Sequence, residues 1–449
     1  MNPKIADVSP GRILIASFLF VISLGTFLLS LPASRVVNIP FIDILFTAAS
    51  ATCVTGLQVV PIYYFSFFGK CVILSLIQIG GLGLMTLSFF LVSLILRMRF
   101  STQVIAGQLL EFESADKVKT FLSSIISITV ITELIGAILL YPSFKELFAT
   151  KKAVFYSVFH SISAFCNSGV SLFENNMADF AKNPFPLSVL SLLVFLGGIG
   201  FIVWYEMINL VKKFIRSIKR DKTPIYSVSL HTKIALNTSL ILIGSGTIIF
   251  WFLEKGNALR SLGFINKFVN SFFIASTVRC AGFQTVSVDE LALPTLLILM
   301  ILMFIGASPS STGSGIKTTT FALFIASIAS IVRNRTSIEI GGRTIPNDQV
   351  YKATAIVSLA LGWLLFTIFL LLITEKSFSF IQVFFEATAA FSTGGLSTGI
   401  TPYLSKIGKL ILMISMVVGR MGSLTLVLAL IKKKEKQLYR YPEERIIIG

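Results

Sequence analysis

The sequence predicts an all-α polytopic membrane protein in which four parallel repeats surround a common axis with pseudo-fourfold symmetry. Each repeat is predicted to contain a membrane helix, a short re-entrant helix and a second membrane helix. The composition supports this class, because 54% of the 449 residues are hydrophobic, 13% are charged and the mean hydropathy is +0.85. Four glycines also recur at a constant spacing of 113 residues: Gly56, Gly169, Gly282 and Gly395.

The first repeat occupies residues 12–100. A membrane span needs about 20 apolar residues, and residues 12–31 meet that requirement. The segment from Asp43 to Thr52 is too short to cross, so it is predicted to be re-entrant, and residues 69–96 return across the membrane. The first span lacks a small-residue cleavage site, which predicts a retained helix and not a signal peptide.

The other three repeats follow the same order of segments. Repeat 2 occupies residues 117–222, repeat 3 residues 230–345 and repeat 4 residues 350–432. Their outward spans, short segments and return spans are, in order, 120–141, 153–165 and 186–211; 230–253, 267–278 and 291–332; 352–374, 380–392 and 407–431. Residues 1–432 are therefore predicted to form one membrane pore domain, and residues 433–449 a cytoplasmic C-terminal tail.

Local similarities between the repeats indicate duplication. Residues 41–50 resemble residues 380–389, and the Gly-Gly-Leu-Gly run at 80–83 matches Gly-Gly-Ile-Gly at 197–200. Self-similarity at a fixed period is the sequence signature of repeat architectures. The equal spacing of the four glycines is therefore read as a property of the fold.

The positive charge is concentrated at the ends of the return spans. The net charge of +17, from 38 Lys and Arg against 21 Asp and Glu, could by itself suggest a nucleic-acid partner. The clusters instead follow the positive-inside pattern, which predicts cytoplasmic termini, parallel repeats and no nucleic-acid partner. Inverted repeats, usual in secondary transporters, would alternate the sides. The same residues are compatible with binding to anionic membrane lipid. The clusters are Arg97 and Arg99; Lys212, Lys213, Arg216, Lys219, Arg220 and Lys222; Arg333, Arg335 and Arg343; Lys432, Lys433, Lys434, Lys436 and Arg440.

Each short segment ends just before one of the repeated glycines. A short helix that runs inward directs its partially negative C-terminal end at the axis. The carbonyl groups after it can replace the hydration shell of a cation, and glycine lets the chain adopt the angles that this needs. Helix packing would explain a single glycine, but four equally spaced glycines favour a central pore for a monovalent cation. Its predicted selectivity filter, which binds the ion through backbone carbonyls, comprises Cys53, Val54, Thr55, Gly56, Asn167, Ser168, Gly169, Cys280, Ala281, Gly282, Thr393, Gly394 and Gly395.

A polar, glycine-rich stretch interrupts the third return span. It differs from a phosphate-binding loop, because Gly315-Ile316-Lys317 breaks the required Gly-Lys-Ser/Thr order. A passive kink would rarely need so many serines and glycines, so a gating loop below the filter is the preferred hypothesis. The predicted gate comprises Gly306, Ala307, Ser308, Pro309, Ser310, Ser311, Thr312, Gly313, Ser314, Gly315, Ile316 and Lys317, together with Arg420.

Arg420 is a charge near the middle of the last return span. Such a residue costs about 2.5–3.5 kcal/mol on insertion scales, so it is expected to face an interior cavity. There it would form an electrostatic barrier to cations. The alternative is a structural role, with a buried carbonyl end, Glu133 or Glu386 as the partner. Arg279, beside the third filter segment, is predicted to pack away from the axis as a brace.

The reactive residues do not indicate an enzyme. Cys53, Cys71, Cys166 and Cys280 lack the spacing of a metal site and are predicted to be buried thiols. The intramembrane acids Glu133 and Glu386 have no histidine nearby in sequence. The sequence therefore predicts a transport protein and no catalytic residues.

The filter segments resemble those of the Trk/Ktr/HKT potassium transporter superfamily. The resemblance covers nearly the whole chain, includes the interrupted third return span and Arg420, and within the superfamily points to the KtrB-type membrane subunit. It implies potassium uptake across the bacterial plasma membrane. Some plant relatives have serine at the first filter glycine and favour Na⁺, so glycine at all four positions implies K⁺ selectivity. The matching runs are Cys53-Val54-Thr55-Gly56-Leu57, Asn167-Ser168-Gly169, Arg279-Cys280-Ala281-Gly282-Phe283 and Ser392-Thr393-Gly394-Gly395-Leu396.

The resemblance also implies partners. KtrB-type subunits work as homodimers on a cytosolic ring of KtrA-type regulatory subunits that bind ATP or ADP, and their transport is commonly stimulated by Na⁺. K⁺ is then the substrate and Na⁺ an activator, with no covalently bound cofactor and the nucleotide only on the partner subunit. The alternative function is a sodium- or proton-coupled cation symporter with an occluded site, which inverted repeats would favour.

Overall fold

The described helices form four successive sets around one centre. A computed structural model describes residues 10–82, 115–218, 228–335 and 337–422. Each set begins with an outer helix, continues with a short middle helix and ends with a returning helix or helix pair. In chain order the helices are α1 (Pro10–Ser30), α2 (Phe41–Thr52) and α3 (Phe67–Gly81); α4 (Ala115–Lys145), α5 (Thr150–Phe165), α6 (Pro184–Gly198) and α7 (Phe201–Ile218); α8 (Leu230–Glu254), α9 (Phe264–Thr277), α10 (Leu293–Phe304) and α11 (Thr318–Val332); α12 (Asn347–Thr374), α13 (Phe380–Ser392) and α14 (Lys406–Met421).

The middle helices are too short to cross a membrane. They contain 12, 16, 14 and 13 residues, so at 1.5 Å per residue the longest reaches about 24 Å, against a hydrocarbon core of about 30 Å. Among the described helices, α4, α8 and α12 have the length and apolar composition to cross, and the bent pair α6–α7 would make a fourth span. By length and composition, three outer helices can therefore span a membrane, and a re-entrant course for the middle helices stays a prediction.

Burial follows the same division. The last eight residues of α13 are all buried, whereas the outer helices expose large apolar side chains. Ile138 of α4, Ile241 of α8 and Leu365 of α12 are 70%, 68% and 64% exposed. Apolar side chains on the outside and buried small polar ones within are what a lipid environment requires, since lipid cannot satisfy polar groups.

Contacts between successive sets close a ring. The returning helix of each set packs on the middle helix of the next: α3 on α5, α6 on α9, and α10 on α13. The last returning helix, α14, packs on the first middle helix, α2. This cyclic order brings the C-terminal ends of the four middle helices together.

The returning helix of the second set is broken, although the sequence predicts one continuous span over residues 186–211. Helices α6 and α7 meet at 96° across the residues after Gly198. Gly200 has a φ of +96°, and the Phe201 N–H donates to the Ser310 carbonyl at 2.7 Å. The break thus accommodates a loop that belongs to the third set.

A small β-hairpin follows α11, in the stretch that the sequence predicts to be a basic loop. Strands β1 (Ile338–Ile340) and β2 (Arg343–Ile345) pair antiparallel. The intervening Gly341 and Gly342 have φ values of +59° and +75°, which suit the two-residue turns typical of hairpins. Several sequence predictions lie outside the described residues: the first return span beyond residue 82 with Arg97 and Arg99, the cluster at 219–222, and the end of the fourth span with the tail 433–449.

A buried ion pair joins the first and last sets of helices. The Lys409 ammonium of α14 lies 2.7 Å from the Asp43 carboxylate of α2, with side-chain exposures of 9% and 11%. These residues are 366 positions apart in the chain. The pair therefore acts where the ring has no covalent connection.

Replacing Lys409 with alanine should destabilise the fold, because the Asp43 carboxylate would stay buried without a counter-ion. Removing one partner of a buried pair costs about 3–5 kcal/mol. We expect the detergent-solubilised protein to aggregate at a clearly lower temperature. Lys352→Ala is the control, because its pair with Asp348 is 3.7 Å long and exposed, and such pairs contribute about 0–1 kcal/mol. Equal aggregation temperatures for the two variants would contradict this role.

Candidate functional site

The four repeated glycines meet at the centre of the ring with left-handed backbone angles. Their φ values are +85°, +67°, +64° and +70°. A Cβ at each would strike the backbone of another candidate filter segment, so a side chain there would require that backbone to shift. The atoms met are, in order, Ser168 O for Gly56, Ala281 O for Gly169, Gly394 O for Gly282 and Thr55 O for Gly395.

These contacts have a regular order. Each glycine abuts the carbonyl of the residue that precedes the glycine of the next set, and the fourth set returns to the first. Gly282 shows how close the approach is, because its Cβ would lie 3.0 Å from Gly394 O and 2.6 Å from the Gly395 Cα. The geometry therefore gathers four segments of non-helical backbone, with their carbonyl groups, around one axis.

Three of the four segments begin with the same helix-ending motif. Val54, Asn167 and Thr393 have φ values of +57°, +61° and +51°, and the residue after each donates back five positions at 2.8 Å: Thr55 N to Ser50 O, Ser168 N to Ser163 O, and Gly394 N to Ala389 O. This is the Schellman type of helix end, in which glycine normally takes the left-handed position. In the third set the Ala281 and Gly282 N–H groups both donate to Thr277 O, at 2.7 and 3.2 Å.

Several side-chain oxygens of the segments are buried without a hydrogen-bond partner among the described residues. They are Thr55 Oγ1, Asn167 Oδ1, Ser168 Oγ and Thr393 Oγ1. Buried polar atoms are normally paired, so unpaired oxygens concentrated beside a ring of carbonyls need a reason. Coordination of a desolvated cation would supply one.

Hydroxyl groups brace the chain after three of the glycines. Ser50 Oγ donates to Leu57 O at 2.7 Å and Ser163 Oγ to Val170 O at 2.8 Å. In the third set Thr277 Oγ1 donates to Phe283 O at 2.9 Å. Each bond ties the residue after the glycine to the end of its own middle helix.

In the fourth set a carboxylate, and not a hydroxyl group, holds the chain after the glycine. Ala389 stands where the first two sets have serine, and the buried Glu386 accepts hydrogen bonds from Ser397 Oγ at 2.5 Å, Thr398 N at 2.9 Å and Thr401 Oγ1 at 2.7 Å. The sequence offers Glu386 as one possible partner of Arg420 and gives no sign of a catalytic role for it. The three hydroxyl residues that follow the fourth glycine were the signal that could have revealed its role.

His160 supports the second segment. Its Nδ1 lies 2.8 Å from Tyr156 O. Its Nε2 accepts a hydrogen bond from the Leu172 N–H, with 3.3 Å between the two nitrogens. This assignment gives the neutral tautomer with the proton on Nδ1. The fully buried ring therefore fixes the chain three residues beyond Gly169.

A cavity of about 780 Å³ opens on the side of the ring where the chain leaves the glycines. Gly56, Gly282 and Gly395 form part of its lining. Of the described residues that line it, three are acidic (Glu174, Asp289 and Glu290) and none is basic. A cavity with this charge concentrates cations at its mouth.

The polar loop at residues 306–317 lies on the opposite side, where the segments begin. Thr312 is its central contact: its hydroxyl lies 3.0 Å from Phe165 O and 3.1 Å from Gly197 O, and it accepts from Asn167 Nδ2 at 2.5 Å. The Ser308 N–H also donates to Gly198 O at 3.0 Å. The loop is thus docked on the second set, between α5 and the break in its returning helix.

Three cationic side chains donate hydrogen bonds to the loop: Arg279 and Arg420 from outside it, and Lys317 from its own end. Arg279 Nη2 donates to Gly306 O at 2.8 Å, and Lys317 Nζ donates to Gly313 O at 2.7 Å. The buried Arg420 donates to Thr312 O, to Ser314 Oγ and, on α3, to Gly80 O. Within the described chain every hydrogen bond of these three residues goes to an uncharged oxygen, so positive charge accumulates beside the axis.

These contacts bear on the two readings of Arg420. The structure shows the carbonyl partnership, with the guanidinium linking the loop to the end of α3. Glu386 is occupied by the chain after the fourth glycine, and Glu133 by the Cys166 thiol at 3.7 Å. Arg279 braces the start of the loop. A barrier function of Arg420 stays a prediction.

The four cysteines are free thiols, and Cys53, Cys166 and Cys280 are buried as predicted, whereas Cys71 on α3 is only partly buried. Among the described residues no group of three or more His, Cys, Asp or Glu is placed to hold a metal ion. The organised chemistry of this molecule is therefore the ring of carbonyl groups.

Apolar helices arranged around one centre define a mostly helical, polytopic membrane protein. The chain belongs to the TrkH family of cation transport proteins, whose family model matches residues 8–440. This is a family of transport proteins and not of enzymes, and it confirms the resemblance seen in the filter segments.

Curated relatives extend over nearly the whole chain. The Ktr system potassium uptake protein B of Vibrio alginolyticus is 36% identical over 442 residues, which cover 98% of this chain and 94% of the relative. The potassium/sodium uptake protein NtpJ of Enterococcus hirae is 32% identical, with 98% of both chains covered. Among solved structures, the potassium transporter TrkH from Vibrio parahaemolyticus matches with a TM-score of 0.72 at 18% identity, covering 95% of this chain and 86% of that one. The structural likeness confirms the all-helical polytopic fold.

Replacing Thr312 with valine should loosen the loop, because it removes the hydroxyl that joins Asn167 to the two carbonyls. A buried polar group left without a partner costs about 1–3 kcal/mol. Cys280 packs against the loop, since a Cβ on Gly313 would lie 2.6 Å from its Sγ. We therefore expect faster reaction of Cys280 with a small thiol reagent, in a chain whose other cysteines are alanine.

Ser311→Ala is the matched control for this measurement. The Ser311 hydroxyl bonds only within the loop, to Ser308 O at 2.6 Å, so its loss should leave the Cys280 reaction rate nearly unchanged. An unchanged rate in Thr312→Val as well would show that other contacts hold the loop.

Proposed function

We propose that this chain mediates potassium uptake across the bacterial plasma membrane, through a pore on the axis of the four glycine segments. The carrying observation is the closed cyclic contact between each glycine and the carbonyl of the next segment. This contact gathers backbone carbonyls around one axis, and carbonyl oxygens can replace the hydration shell of a monovalent cation. The relatives named as potassium uptake proteins support K⁺ as the substrate.

The filter comprises the four segments that the sequence predicts: residues 53–56, 167–169, 280–282 and 393–395. Carbonyl groups provide the principal ligands, and the unpaired oxygens of Thr55, Ser168 and Thr393 are available beside them. The segments contribute no Asp or Glu, which favours a weakly hydrated monovalent ion over Ca²⁺, for which carboxylates are usual ligands.

The loop at residues 306–317 is the proposed gate, with Arg420 as the barrier. Its position on the side away from the acidic cavity, and the positive charge of Arg279, Lys317 and Arg420 around it, would oppose a cation that has passed the filter. Its middle part is attached by the hydrogen bonds of Ser308 and Thr312, whereas Ile316 at its end is packed in the apolar core, so release concerns the middle part. Opening would require the Thr312 contacts to break.

The proposed assembly follows the family. The chain forms one pore domain of four repeats over residues 1–432, with both termini in the cytoplasm, and works as a homodimer on a cytosolic KtrA-type ring that binds ATP or ADP. The relative named as a potassium/sodium uptake protein supports Na⁺ as an activator. The nucleotide then belongs to the ring alone.

The test of the function is K⁺ uptake in cells that lack their own uptake systems, with the cytosolic ring subunit co-expressed. The parent chain should restore growth at low K⁺, and a stably expressed Gly282→Asp variant should not, because a charged side chain would enter the meeting point of the segments. Gly56→Ser should lower the K⁺ over Na⁺ discrimination by about tenfold or more, equivalent to about 1.4 kcal/mol.

Gly362→Ser on α12 is the matched control, because nothing lies within 4 Å of its Cβ position. It should keep the uptake and selectivity of the parent. A parent chain that fails to restore growth even with the ring would refute potassium uptake. An unchanged ion preference in Gly56→Ser would refute the filter assignment alone.

Deleting residues 308–314 should raise the K⁺ flux several-fold, because the docked loop would no longer occupy the pathway. The measurement is the initial rate of K⁺ uptake, normalised to the amount of protein in the membrane. A well-expressed deletion variant with parental or lower flux would show that the loop is a structural kink and not a gate.

A further inference from the structure

A deep groove separates helices α8 and α11 on the outside of the third set. Its volume is about 620 Å³, and the β1–β2 hairpin bounds one end of it through Glu339, Ile340 and Gly341. This groove is remote from the candidate filter, since none of the filter residues lines it. The proposed function leaves it without a role.

The walls of the groove are mostly apolar, although Asn237 and Thr238 of α8 also line them. Helix α8 contributes Ile234 and Ile241, and α11 contributes Ala322, Ala326 and Ala329. Three alanines at spacings of four and three residues lie along one face of a helix, where their small side chains leave a trough. From Lys233 to Ile241 the trough runs eight residues, or about 12 Å, which accommodates a large part of an acyl chain.

One end of the groove lies at the membrane boundary opposite the acidic cavity. Helix α8 ends at Glu254, which accepts from Asn257 Nδ2 at 2.8 Å, and the same amide donates to the carbonyl of Glu290 in the lining of that cavity. Lys233 is 21 residues earlier on this helix, so it lies about 32 Å away along the axis. That distance matches the thickness of the hydrocarbon core, about 30 Å.

This end is positively charged. Lys233, Arg333 and Arg335 line it, and all three side chains are exposed. The acidic residue of the lining is Glu339, which lies 3.5 Å from Arg335. Lys233 and Arg333 are therefore in excess over the acidic side chain at this end.

We propose that the groove binds an anionic phospholipid. The phosphate group lies between Lys233 and Arg333, with Arg335 nearby, and one acyl chain lies against the alanine face of α11. Charge complementarity selects this occupant: a basic pocket between membrane helices on the positively charged side suits anionic headgroups. An acyl chain also fills an apolar trough inside a bilayer without exposing polar backbone, which a docked peptide strand would do.

The test measures lipid retained by the full-length chain, purified in detergent and analysed by native mass spectrometry with added phosphatidylglycerol or phosphatidylcholine. The variant K233Q/R333Q/R335Q should bind phosphatidylglycerol roughly 100-fold more weakly, from three charges near a membrane surface. The control K213Q/R343Q/K352Q removes as many positive charges from exposed residues outside the groove. It should bind like the parent.

A second variant, Ala326→Phe, tests the contribution of the lipid's acyl chain apart from that of its headgroup. It keeps every charge and fills the trough, so phosphatidylglycerol should again be lost. Equal retention by the parent and both groove variants would overturn the proposal, as would equal affinity for phosphatidylcholine. Displacement of the lipid by glycerol phosphate at matched concentration would indicate a site for free phosphate groups instead. A shift from dimer to monomer in the groove variants alone would indicate an interface between copies.

Discussion

The architecture depends on the close approach of four glycine backbones at one axis. Because a Cβ on Gly56, Gly169 or Gly395 would overlap a carbonyl oxygen of the neighbouring segment, a side chain at any of these positions would force the neighbouring backbone to shift. The approach also requires each middle helix to stop before the axis, where its last carbonyls must find donors. The segments themselves provide these, by folding back to the helix end. Helix length, helix ending and ring closure are thus one linked constraint.

The ring is fourfold in its backbone and asymmetric in its supports. Hydroxyl groups brace the first three segments, Glu386 braces the fourth, and His160 adds a second support to the second. The loop at residues 306–317 adds to the asymmetry, because it comes from the third set and docks on the second. Side chains that hold the loop by hydrogen bonds are Asn167, Arg279 and Arg420.

The sequence predicted much of this from local patterns. The apolar runs located the outer and middle helices, and the equal spacing located Gly56, Gly169, Gly282 and Gly395. It did not predict the break after Gly198, because the loop that stabilises the break is more than 100 residues away in sequence. For the same reason it did not predict the Lys409–Asp43 pair or the partners of Arg420. Their contacts join the first part of the chain to the last.

By itself, the sequence determined the membrane class, the number of repeats and the positions where only glycine fits, since hydropathy and backbone angles are properties of short stretches of chain. The tertiary structure decided which repeat contacts which, how each filter segment is braced and where the loop docks. Those outcomes depend on pairs of polar groups brought together from distant parts of the chain, and the cost of leaving any of them unpaired inside a membrane selects one arrangement. Local patterns carry no record of such pairings.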